Sequence, residues 1–138
     1  MHSSSKCGIA IAMTIAVALP VAAASPSETK DYGTWRNPQN SVHVHITPCG
    51  TGGCGVVVWA NAKAQADALK GGTKVLVGTQ LFREFHKQKD GSWSGKVFVP
   101  DINKTFSGTI KLVAPDKMKA RGCLLSRVGC KSEIWTRI

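Results

Sequence analysis

The stretch TFSGTIKLVAPDKMKAR, Thr105 to Arg121, carries two runs of alternating residues around a Pro-Asp reversal. Successive side chains of a strand point to opposite faces, so Phe106, Gly108, Ile110 and Leu112 share one side while Thr105, Ser107, Thr109 and Lys111 share the other. Pro115-Asp116 supplies the preset backbone angle and the short acceptor that a tight turn needs. Beyond it Met118 and Ala120 continue the apolar face, and Lys117, Lys119 and Arg121 continue the wet one. This is a pair of antiparallel strands with one face toward a core and one toward water.

The same period recurs on both sides of this hairpin. Upstream, Tyr32 to Arg36 is closed by Asn37-Pro38, and Ser41 to Thr47 sets Val42, Val44 and Ile46 against His43 and His45. Gly55 to Ala60 is apolar on both faces through Val56, Val57, Val58 and Trp59, which predicts cover on both sides. Asn61 to Lys70 is alanine-rich and stopped by Gly71-Gly72, so one short helix is expected after strand three. Gln80 to Lys87 alternates Leu81, Arg83 and Phe85 against Phe82, Glu84 and His86, and Asp90-Gly91 turns it into Trp93 to Val99. Pro100 to Asn103 turns again, and Lys131 to Ile138 is the last strand, with Trp135 and Arg137 on one face and Ile134, Thr136 and Ile138 on the other. Eight strands joined mostly by short turns predict an all-β, antiparallel up-and-down barrel, since closure removes the exposed edges of an open sheet.

The N-terminus reads differently. A polar start with Lys6 precedes an apolar run from Ile9 to Ala24, ending in small residues, which is the pattern of a secretory signal peptide over residues 1–24. Residues 25–138 are then expected to form the single barrel domain, with no transmembrane segment after cleavage. Lys6 is the only charged residue of the leader, so nearly all of the formal charge of +10 stays with the domain. Removing Cys7 leaves an even set of cysteines, Cys49, Cys54, Cys123 and Cys130, in a chain bound for an oxidising compartment. Each neighbouring pair brackets a glycine-containing turn, which favours Cys49 with Cys54 and Cys123 with Cys130 over the crossed pairings. Neither spacing is the C-x2-C of a zinc knuckle.

Gly33-Thr34-Trp35 resembles the G-x-W signature of the calycin barrels, and the blocks ITPCGTGGCGVVVW, GKVFVPDINKTFSG and GCLLSRVGCKSEIWTR extend the likeness along the chain. Together they are similar to a family of small exported bacterial domains of unknown function grouped with the calycins. The resemblance implies that Trp35 packs at one barrel end beneath a late arginine, here Arg137, with Gly33 beside it. It brings no catalytic residues. The chain departs from the family pattern after strand three, where members usually carry a longer, arginine-rich connection and this one has QADALKGGTKVLVG.

Chemistry is sparse. His43 and His45 share a face at ligand spacing, but His86 is the only further histidine of the domain and no metal is expected. Asp90, Asp101 and Asp116 fall in turns, and no nucleophile elbow, phosphate-binding loop or dinucleotide fingerprint occurs, so neither an enzyme nor a cofactor is indicated. All nine aromatics lie in the domain, and an eight-stranded barrel is just wide enough to be filled by them or to hold one small ligand. Filling is the expected state. If a pocket exists, Trp59, Phe85, Trp93 and Phe106 are its expected walls.

Lys111, Lys117, Lys119 and Arg121 should form an outer basic patch suited to an anionic envelope component or an acidic protein. Nucleic acid is not an expected partner of an exported chain without a binding motif. The first expectation for function is an exported, periplasmic or secreted, non-enzymatic module of the cell envelope that takes a small apolar or amphipathic ligand at the barrel mouth. The second is a periplasmic inhibitor whose N-terminal segment, Ser25 to Asp31, enters a target. Oligomeric state leaves no trace in the sequence.

Overall fold

Nine elements follow one another in the computed structural model, which describes residues 8, 10–19, 30–125 and 128–138. They are β1 (Gly33–Arg36), β2 (Val42–Cys49), β3 (Gly52–Ala60), α1 (Ala62–Lys70), β4 (Gln80–Lys87), β5 (Trp93–Val99), β6 (Lys104–Ala114), β7 (Lys117–Leu125) and β8 (Val128–Arg137). Each strand pairs antiparallel with the next, and β8 returns to β1 through Trp35 opposite Arg137 and Arg36 opposite Thr136. The sheet is therefore a closed eight-stranded barrel in up-and-down order.

The alternation around Pro115-Asp116 sets the inner wall as expected. Ile110 and Met118 are buried while Thr109, Lys111 and Lys119 are exposed. Residues directly opposite on neighbouring strands share a face. Met118 opposite Trp135, Ala120 opposite Glu133 and Gly122 opposite Lys131 thus place Trp135, Glu133 and Lys131 of β8 on the inside. Asn61 caps α1 by accepting from the Ala64 N–H at 2.8 Å, and the helix stops at Gly71. Among the described residues no helix is long and apolar enough to cross a membrane. The apolar residues Ile11, Met13, Ile15, Val17 and Leu19 of the N-terminal run are exposed.

Two sequence expectations are corrected, both by bulges, where an extra residue in one strand upsets the period of two. The pairing of β2 with β3 shifts between His43 and Val44, so Val57 stays buried but Val58 and Trp59 emerge, 49% and 42% exposed. The outer side of β3 is not covered there; Trp59 instead lies against the His43 ring, centroids 4.4 Å apart. In β4 the register shifts between Arg83 and His86, and Glu84 takes a positive φ of 53°. That extra residue brings Phe82 and Phe85, expected on opposite faces, into edge contact in the core, 5.7 Å between centroids.

Both disulfides are the local ones, Cys49 with Cys54 across the β2–β3 turn and Cys123 with Cys130 at directly opposed positions of β7 and β8.

Candidate functional site at the open end of the barrel

An up-and-down order sends alternate connections to opposite ends. The chain reversals at Gly50-Thr51, Gln88–Ser92 and Pro115-Asp116 lie at one end, with β1's entry and β8's exit. The connections 37–41, 61–79 and 100–103 lie at the other, with the end of β7 at Leu125 and the start of β8 at Val128.

The first end is shut. Trp35 is fully buried and the Arg137 guanidinium sits over its ring at 4.3 Å. Arg137 also donates to the carbonyls of Tyr32, at 2.6 Å, and of Lys30. A side chain on Gly33, whose φ is +118°, would meet Arg137 Nη1 at 2.8 Å, so this position admits glycine for both backbone and space. Asp31, only 7% exposed, accepts from Trp93 Nε1 at 3.0 Å through its carboxylate and from Trp35 Nε1 at 3.1 Å through its backbone carbonyl. Only about 20 Å³ is left open among Ile46, Phe85, Trp93 and Ile110.

The second end is hollow. A cavity of about 340 Å³ opens there, above a floor made by Phe82 and Trp135, whose rings meet edge to face at 5.5 Å. One wall is apolar, formed by Val97 and Phe106. The adjoining wall on β7 is thin because its inner positions are Ala120 and Gly122, and Gly122 has only the Ser107 carbonyl, at 3.9 Å, near the place a Cβ would take. Small residues on one side of the barrel leave the space that the aromatics fill elsewhere.

Polar groups enter the cavity along β8, where Trp135, Glu133 and Lys131 line it in succession. The Trp135 indole N–H is buried and has no hydrogen-bond acceptor, alone in this among the described side chains. Such an orphaned donor costs about 1–3 kcal/mol.

The expected pocket residues are thus divided. Phe106 lines the cavity, Phe85 and Trp93 belong to the packed half, and Trp59 stands on the outer surface. The expected filled interior holds for one half of the barrel only. Trp135, Lys131 and Glu133 were not among the candidates, although Lys131, Glu133, Trp135 and Arg137 alternate; a run with so many charges reads as a solvent face.

Outside, Lys111 opposite Lys119 and Thr109 opposite Arg121 bring three cations together on β6 and β7. Lys117 shares that face but reaches Asp116 at 3.1 Å, and this contact holds the Asp116 carboxyl below its ordinary value. His43 and His45 are hydrogen-bonded to Asn40 and Thr34, at 2.7 and 2.9 Å. No group of three metal-ligating side chains occurs among the described residues. Of the segment expected to enter a partner, Lys30 and Asp31 are tied to the shut end, and residues 25–29 lie outside the described residues.

A closed eight-stranded barrel, sealed at one end by a G-x-W tryptophan beneath an arginine and open at the other, defines a calycin-like protein. The chain belongs to the family of uncharacterised proteins conserved in bacteria (DUF2147), whose pattern it matches over residues 33–137. No curated protein and no solved structure matches it.

Proposed function

We propose that this chain is an exported binding module of the cell envelope that takes a small apolar or amphipathic ligand into the open end of its barrel, without acting on it chemically. The observation that carries this reading is the apolar cavity of about 340 Å³ at the open end, with Glu133 and Lys131 as the acidic and basic groups of its β8 wall. Ligand pockets range over roughly 300–1,000 Å³ and combine apolar walls with a few placed polar groups. Glu133 and Lys131 beside the apolar walls favour an amphipathic guest over a pure hydrocarbon. Export is supported by the leader pattern of residues 1–24 and by two disulfides, which persist in oxidising compartments.

The test is a titration of the exported, processed protein with anilinonaphthalene sulfonate, followed by tryptophan quenching. Saturable binding is expected, and Gly122→Leu should abolish it by filling the cavity while leaving the circular dichroism spectrum intact. Undiminished binding in Gly122→Leu would remove the cavity as the site.

A further inference from the structure

The apolar residues left exposed on the barrel are unevenly distributed: Val113 (54%) and Ile138 (56%) lie at the shut end, and more gather at the other. Val75 (70%), Ile102 (51%), Leu124 (66%), Leu125 (69%) and Val128 (65%) all belong to the open end. They come from three separate connections: the segment after α1, the β5–β6 turn and the β7–β8 hairpin. These stretches are tied into one rim. Thr73 donates to the Pro100 carbonyl at 3.0 Å, Gly71 packs so closely on Asp101 that a Cβ would meet its backbone at 2.0 Å, and β6 joins its hairpin to that of β7. Lys70, Lys74, Lys104 and Lys131, all exposed, stand among the apolar tips, while Asp101 is the exposed acid beside them.

Apolar tips interspersed with lysines are what an interfacial surface needs: the tips enter the boundary between headgroups and acyl chains, and the lysines meet anionic headgroups. The same rim surrounds the mouth of the apolar cavity. We propose that the open end docks onto an anionic phospholipid surface, with Leu124, Leu125, Val128, Ile102 and Val75 inserted and Lys70, Lys74, Lys104 and Lys131 at the headgroups. The chain then sits on the bilayer without spanning it, its mouth facing the lipid. The inference goes beyond ligand uptake and stands without it, because it rests on the rim alone.

The experiment is flotation of the exported, processed protein, its N-terminus checked by mass, with vesicles of phosphatidylcholine alone and of phosphatidylcholine mixed with phosphatidylglycerol. The protein should float with the mixed vesicles and dissociate as salt rises. Leu124→Ser/Leu125→Ser/Val128→Ser should lower partitioning on the order of tenfold or more, since each inserted CH2 contributes about 0.8 kcal/mol. Changing Lys70, Lys74 and Lys104 to Gln should remove the preference for the anionic vesicles. These side chains are exposed, so circular dichroism and the unfolding temperature should stay at wild-type values and show that a loss is not misfolding.

Wild-type protein that stays with neither vesicle, or a serine variant that floats as well as wild type, overturns the proposal. So does a wild-type dimer that the serine substitutions dissociate, because the rim would then be covered by a second copy. Probe binding in the cavity is measured on the same samples without vesicles, so loss of docking and loss of ligand uptake are separately visible.

Discussion

The two ends of the barrel are built from the same eight strands and solve opposite problems. At the shut end Trp35, Trp93, Asp31 and Arg137 interlock, with both indole N–H groups satisfied through Asp31 and the guanidinium spread over ring and carbonyls. At the open end Ala120 and Gly122 withhold side chains, a third indole N–H has no partner, and apolar tips face outward. One end satisfies its polar groups internally, as a buried site must. The other leaves a cavity unfilled, and so carries the capacity to bind.

Truncating the two ends sharpens this contrast most. Trp35→Ala removes a fully buried ring beneath Arg137 and should cost about 3–5 kcal/mol in denaturant unfolding. Phe106→Ala, on the wall of an existing cavity, should cost about 1–2 kcal/mol. Equal losses would show that the open end is as tightly packed in solution as the shut one.

The effect expected at Asp31 is smaller than that of Trp35→Ala. Asp31→Ala strips Trp93 Nε1 of its acceptor and should destabilise by about 1–3 kcal/mol, while Asp31→Asn, which keeps an oxygen there, should recover much of the loss. Indistinguishable unfolding of the two variants would mean that the hydrogen bond is not what secures this end.

The smallest effect is a pH dependence in the β4–β5 hairpin at the shut end. Ser92 donates to Asp90 through its hydroxyl, at 2.6 Å, and its backbone N–H, at 2.9 Å, holding that carboxyl below its ordinary value of 3.8. A depressed folded value stabilises above the unfolded one, and the benefit is lost as pH falls through the folded value. The unfolding-temperature difference between wild type and Asp90→Asn should therefore shrink as pH drops below about 3.8, and a gap that stays constant down to pH 2 would contradict it.

How far the sequence could be read differs between the ends in the same way. Gly33 and Trp35 form a recognisable motif and Arg137 its late partner, so much of the seal was legible. The Asp31 carboxylate meets Trp93 from 62 positions away, and no local pattern announces such a contact. At the open end the β8 strip hid behind its charges. Trp59 misled for another reason: an apolar run reads as doubly buried, and a single bulge between His43 and Val44 turns half of it outward.

Alternation, turn residues and cysteine spacing were enough to specify eight antiparallel strands, one helix and two local disulfides, because these depend on interactions between residues near in the chain. Which half of the interior is packed, where Trp135 is left without a partner and which tips gather into one rim were decided only by closure. Register, bulges and the meeting of strands distant in sequence determine those, and a period of two carries no information about them.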